Sequence, residues 1–190
     1  MSEHALQLAV IVGSTREGRF APVVANWFVS QVEQRDDLAL DVVDLAEARL
    51  PAVLTRQPPP EVAALTPRLD AADAFVVVTP EYNHSYPAPL KNAIDWYYTQ
   101  WQAKPIGFVS YGGLAGGLRA VEQLRLVFAE LHAVTIRETV SFHNAREKFD
   151  SAGQPKDATG PGAAAKTMLD QLAWWARALR DARTAHPYGT

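Results

Sequence analysis

Short apolar runs alternate along this chain with stretches whose apolar residues recur at helical spacing. Leu6 to Val12 is apolar except for Gln7, the pattern of a strand buried on both faces. Gly13 ends that run. Phe20, Val23, Val24, Trp27, Phe28 and Val32 then fall on one helical stripe. Leu40 to Leu45 reads as a second strand. The connection 46–60 closes on Gln57-Pro58-Pro59-Pro60, which excludes a continuous helix there, and a helix follows from about Glu61 to Ala72. Ala74 to Thr79 is a third strand. Pro89 suits the first turn of a helix bearing Leu90, Ile94 and Tyr97. Ile106 to Ser110 reads as a fourth strand. A helix near Gly117 to Leu131 has Leu118, Val121, Leu124, Phe128 and Leu131 in register, and Val134 to Phe142 includes a fifth strand. Residues 143–162 read as a surface loop. The last helix, about Ala163 to Arg183, is expected to bury Met168, Leu169, Leu172, Trp175 and Leu179, with Trp174 and Trp175 anchoring it to the sheet.

Strands alternating with helices imply βαβ crossovers and a parallel sheet covered on both faces. Five strands predict an α/β three-layer sandwich with strand order 2-1-3-4-5, carried by a single domain over residues 1–190.

Composition narrows the chemistry. The 190 residues are 48% hydrophobic and 21% charged, as in an ordinary globular protein. There is no cysteine, which removes disulfides, thiolate metal sites and cysteine nucleophiles from consideration. A formal net charge of -3 without any Lys/Arg block argues against a nucleic-acid partner. The start, MSEHALQLAVIVG, lacks a basic n-region and a small-residue cleavage site, and no apolar run is long enough for a membrane span. A soluble, cytoplasmic protein is expected. His4, His84, His132, His143 and His186 show no ligating spacing, so no metal site is predicted. Ser85 lacks a G-x-S-x-G elbow, and Glu81 and Asp95 need not meet, so a hydrolase has little support.

In sheets of order 2-1-3-4-5, ligands bind beyond the carboxyl ends of the strands, between the first and third with the fourth alongside. The loops there are Gly13–Phe20, Pro80–Pro89 and Tyr111–Gly117, which are also the least generic stretches of the sequence. The first reads GSTREGRF. It matches neither a dinucleotide fingerprint nor a P-loop, yet Ser14, Thr15, Arg16, Arg19 and the N–H groups of a helix start suit a single phosphate. The same residues equally suit an ordinary helix cap, with Ser14 or Thr15 capping and both arginines solvated. In the second loop, Tyr82 and Tyr86 offer faces for a flat ring and Asn83 offers hydrogen bonds, while Pro80, Pro87 and Pro89 stiffen the chain. The third, SYGGLAGGLRA, brings backbone close to a ligand and supplies N–H groups at a helix start; close helix–strand packing at Gly116 and Gly117 also accounts for its glycines.

These three segments together resemble the NADPH-dependent FMN reductase family of flavodoxin-like proteins. Members carry G-S-x-R after strand one, P-E-Y-N-x-S-x-P-x-x-L-K-N-A-x-D-W after strand three, and a G-G-x-R-A loop after strand four. Here they read GSTREGRF, PEYNHSYPAPLKNAIDW and GGLAGGLRA. The resemblance implies a flavodoxin-like fold with non-covalent FMN. It implies hydride transfer from NADPH or NADH to FMN, then reduction of a small-molecule electron acceptor such as a quinone, azo compound or flavin. Ser14 and Arg16 would bind the FMN phosphate, with Arg19 and Phe20 near the loop's end. Pro80, Glu81, Tyr82 and Asn83 would line the ribityl chain and ring, and Ser110, Tyr111, Gly112 and Gly113 would edge the pyrimidine side. N–H groups at Gly112–Gly113 would stabilise charge on the reduced ring, and no catalytic side chain is implied. Two departures stand out. Arg19-Phe20 occupies the region where many members have a phosphate-binding serine, and Ala88 stands where many have glycine. The family commonly forms homodimers, often paired into homotetramers. Trp96, Tyr97, Tyr98 and Trp101, more apolar surface than one helical stripe needs, are expected at such a contact.

Overall fold

β3 (Ala74–Pro80) and β4 (Pro105–Tyr111) are buried at every position, as unbroken apolar runs require of strands covered on both faces. In the computed structural model, which describes residues 5–189, they form the centre of a five-stranded parallel sheet. β1 (Leu6–Val12), β2 (Leu38–Asp44) and β5 (Val134–Phe142) complete it in the order β2-β1-β3-β4-β5, as predicted. The register aligns the carboxyl ends. Val12 lies opposite Asp44 and Val78, Pro80 opposite Tyr111, and Tyr111 opposite Phe142, so the loops after β1, β3, β4 and β5 emerge together.

Each face of the sheet carries its own core. On one side α1 (Ala21–Val32) and α7 (Thr159–Ala185) cover Leu8, Val10, Val76 and Val109. On the other, α3 (Pro60–Ala71), α4 (Ala88–Trp96) and α5 (Leu118–Glu130) pack on Ala9, Ile11, Phe75, Val77 and Phe108. Short turns α2 (Leu45–Ala48) and α6 (Ala145–Lys148) follow β2 and β5. No helix among the described residues is long and apolar enough to cross a membrane. His4 lies outside the described residues.

Four segments differ from the pattern reading. β2 begins at Leu38, and Leu45 opens α2 because the Asp44 carboxylate accepts the Ala46 N–H and caps that turn. Residues 143–162 are more than a surface loop. They contain α6 and the buried Phe149, and α7 begins at Thr159, where the Asp157 carboxylate accepts the Thr159 and Gly160 N–H groups. Trp174 and Trp175 do not anchor α7: they are 62% and 37% exposed. The stripe facing the sheet is Ala165, Met168, Leu169, Leu172, Ala173 and Ala176, which leaves both indoles on the flank and Leu179 half-buried. Finally, α4 stops at Trp96. Tyr97 and Trp101 turn inward, and Trp101 stacks edge-on against Phe75 and Phe128, so these two rings belong to this chain's own core.

Candidate functional site

At the end of β1 the chain turns away from the sheet through Gly13 and Ser14, both buried. The Ser14 hydroxyl is hydrogen-bonded to the Tyr82 hydroxyl at 2.8 Å, which ties the first loop to the one after β3. Neither Ser14 nor Thr15 caps α1, whose N-cap is Phe20, so the simple capping explanation does not hold. Arg19 donates to the Ser14 carbonyl at 2.6 Å and to both oxygens of Asp44 at 2.5 and 2.6 Å. A fork–fork pair of this kind fixes geometry as well as charge, and the Asp44 hydrogen bonds raise the Arg19 pKa. Arg19 therefore braces the loop, whereas the sequence suggested a phosphate contact. Arg16 is exposed, and among the described residues its guanidinium has no carboxylate partner. Beside it, the backbone N–H groups of Arg16, Glu17 and Gly18 have no acceptor within the described chain. Gly18 sits at φ +63 with open space where a Cβ would stand. A free guanidinium beside unspent N–H donors makes a cradle for an anion.

The loop after β3 folds back at once. Tyr82 and Ser85 exchange backbone hydrogen bonds of 2.8 and 3.0 Å around Asn83 and His84, whose φ values are 49° and 71°. Two consecutive left-handed residues describe a type I′ turn, a geometry that asparagine tolerates better than most residues. Asn83 stands exposed at its tip, outside the cleft described below. Glu81 lines that cleft, and its carboxylate reaches α5. It accepts the Arg119 N–H at 3.3 Å and pairs with the Arg119 guanidinium at 3.1 Å.

In the glycine loop, the Ser110 hydroxyl is fully buried and donates to the Gly116 carbonyl at 2.9 Å, a bond that supports the loop from below. Ser141 donates to the same carbonyl at 2.8 Å. Gly116 and Gly117 have φ of +61° and +88°. A Cβ at Gly117 would stand 2.6 Å from the Ser110 Cβ and 2.8 Å from the Tyr111 nitrogen, so close packing does explain this pair. The Gly112 N–H is spent on the Phe142 carbonyl at 3.1 Å. The Gly113 N–H has no acceptor within the described chain, and a Cβ there would meet nothing within 4 Å. Of the two N–H groups expected to face a ligand, Gly113 alone is uncommitted.

These loops enclose an open cleft of about 370 Å³, within the range of small-molecule sites. Arg16, Arg19, Phe20, Pro80, Glu81, Tyr82, Tyr111, Gly112 and Gly113 all line it; Ser14, Asn83 and Ser110 do not. A fourth wall, Asn144 to Glu147, was missed by the sequence reading. It is stitched to the glycine loop by the Asn144 N–H on the Gly113 carbonyl at 2.9 Å and the Ala145 N–H on the Gly112 carbonyl at 3.0 Å. Strand order held the signal, since β5 neighbours β4 and its carboxyl end opens beside the glycine loop. The Arg146 guanidinium lies 5.4 Å from the centre of the Phe20 ring, which in turn meets Tyr111 and Phe149 edge-on. Burial, reinforced by Tyr82, pushes the Tyr111 phenol well above its usual range, so it stays protonated where it lines the cleft.

Residues 6–147 match the family described as NADPH-dependent FMN reductase. The chain belongs to that family. It is 37% identical over 123 residues to an NAD(P)H-dependent FMN reductase of Schizosaccharomyces pombe, a match covering 58% of this chain and 60% of the relative. A 2-hydroxy-1,4-benzoquinone reductase from a Burkholderia species is 31% identical over 183 residues, covering 93% of this chain and 99% of that protein. Among solved structures, the flavoenzyme NAD(P)H:(acceptor) oxidoreductase FerB from Paracoccus denitrificans superposes with a TM-score of 0.73 at 25% identity, covering 92% of this chain and 98% of FerB. A flavodoxin variant from Pseudomonas aeruginosa, at 18% identity and a TM-score of 0.54, shares the fold and covers 90% of this chain. For this member of the FMN reductase family the cleft's chemistry fits the cofactor: its lining combines an uncommitted anion cradle, aromatic walls and the Gly113 N–H, which has no acceptor within the described chain.

Proposed function

We propose that this protein is an FMN-dependent NAD(P)H oxidoreductase that reduces a quinone, azo compound, flavin or similar acceptor, in one domain spanning residues 1–190. The observation that carries the reading is the uncommitted anion cradle, Arg16 with the N–H groups of residues 16–18, in a cleft at the carboxyl ends of a 2-1-3-4-5 sheet. Bound FMN supplies the redox chemistry, accepting hydride from NADPH or NADH and returning reducing equivalents to the acceptor.

The chain's own residues hold and orient. Arg16 and the adjacent N–H groups grip the phosphate. Phe20, Tyr82 and Tyr111 bound the cleft with aromatic surface. The Gly113 N–H, which has no acceptor within the described chain, would be available to donate to negative charge on the reduced ring. No side chain is required to pass a proton; the strongly raised pKa of Tyr111 removes it as a base. A quinone acceptor is supported by the benzoquinone reductase that aligns with nearly this whole chain.

The experiment is spectroscopic. The purified protein, reconstituted with FMN, is expected to show a flavin spectrum that bleaches on anaerobic NADPH or NADH and recovers on 1,4-benzoquinone. Failure to take up FMN overturns the proposal, and flavin that stays oxidised points to an electron carrier.

The reading extends to a cytoplasmic homodimer or homotetramer. With Tyr97 and Trp101 withdrawn into the core, the apolar surface left for a contact includes Tyr98, Leu118 and Leu126. Light scattering at micromolar concentration giving a mass near 20.8 kDa would rule an oligomer out.

A further inference from the structure

We propose that Gln123 is a positioning residue of the cofactor site, clamping the type I′ turn after β3 from α5; the inference rests on the FMN reading above. Gln123 follows Arg119 by one helical turn, so both side chains leave the same face of α5. Arg119 holds Glu81. Gln123 uses both ends of its amide on the other side of Tyr82. Its Nε2 donates to the His84 carbonyl at 2.7 Å, and its Oε1 accepts from the Ser85 hydroxyl at 2.5 Å.

The turn needs such a tie. Asn83 and His84 both take left-handed backbone without being glycine, and both are exposed, so packing does not hold them. What the turn delivers is Tyr82. Its backbone is fixed by the Ser85 pair and its hydroxyl by Ser14 at the start of the first loop. Gln123, Ser85, Tyr82 and Ser14 thus form one continuous chain of hydrogen bonds from α5 to the phosphate loop. Gln123 itself lines no part of the cleft, so its influence on a ligand runs through Tyr82.

The test uses Gln123→Met, which keeps the length and removes both bonds, with Ser85→Ala as the partner deletion. FMN affinity is read by flavin fluorescence quenching, and the apo chain's thermal midpoint is recorded beside it. Gln123→Met is expected to raise the FMN Kd about tenfold while moving the apo midpoint by less than about 3 °C, and the double variant should bind no worse than Gln123→Met alone. A Kd within twofold of the parent overturns the clamp, as does an apo midpoint falling by more than about 3 °C, which marks a general structural role. Amide exchange of Tyr82 and Ser85 in the apo chain supplies a reading independent of cofactor. Gln123→Met should accelerate it at least tenfold, and unchanged exchange also overturns the clamp. If the parent protein binds no FMN, the functional reading fails, and the exchange measurement alone decides whether the turn is clamped.

Discussion

Arg16 and Arg19 stand three residues apart and look interchangeable in the sequence, yet they do different work. Among the described residues Arg16 has no carboxylate partner, and it lines the cleft; Arg19 is spent on Asp44 and the Ser14 carbonyl. Arg16→Ala is therefore expected to weaken FMN binding by about 1.5–3 kcal/mol, roughly 10- to 150-fold in Kd, with little change in the apo thermal midpoint. Arg19→Ala should lower that midpoint as well, because its loss frees Asp44 and slackens the loop. A fluorescence titration paired with a melt of each apo variant separates the two; equal behaviour would refute the division. Most of the cleft's lining was legible at this scale because GSTREGRF and PEYN lie where the topology puts ligands. The roles were less so. Whether an arginine is free depends on a carboxylate at the end of another strand, and whether Ser110 faces a ligand or a carbonyl depends on how the glycine loop folds over it.

At the scale of elements, the glycine loop divides into residues that pack and residues that present. Gly117→Ala would force a Cβ into the Ser110 side chain and the Tyr111 backbone at a φ of +88°. A cost of about 2–5 kcal/mol follows from the strained backbone and the overpacking together, measurable by denaturant unfolding. Gly113→Ala meets open space, so its stability should stay within about 0.5 kcal/mol of the parent while FMN affinity falls, since the new methyl stands beside an N–H that has no acceptor within the described chain. Element positions were the most legible part of the fold. β1 was bounded to the residue and β3 and β4 to within one, because strands buried on both faces leave apolar runs; the edge strand β2 was placed to within two, and β5 was located only as lying inside Val134–Phe142. The segment 143–162 was not legible. Its glycines and Pro161 read as loop, but a helix's first turn tolerates such residues when a neighbouring carboxylate, here Asp157, takes its N–H groups. The α7 tryptophans were misplaced because alanines, too small to stand out in the pattern, form much of the sheet-facing stripe.

On the scale of the molecule, the site is assembled from the carboxyl ends of four strands, so a ligand there bridges parts of the chain that lie far apart in sequence. FMN at a hundredfold over its Kd is expected to stabilise the fold by about 2.7 kcal/mol, raising the thermal midpoint by roughly 5–10 °C at this size. At the same concentration Arg16→Ala should show a smaller rise, and a calorimetric scan that gives both proteins the same shift would contradict the placement of the cofactor. The glycine loop has a further consequence at this scale. Its feet are fixed, with the Gly113 carbonyl accepting from Asn144 and the Gly116 carbonyl from Ser110 and Ser141. Leu114 between them is 85% exposed and is tethered through its carbonyl to His143. The tip is thus a replaceable part on a fixed mount. Extra residues grafted between Leu114 and Ala115 would reshape the exposed surface next to the cleft-lining Gly113 while the hydrogen bonds under the loop stay where they are, which makes the tip and the cleft separately adjustable by mutation or by descent.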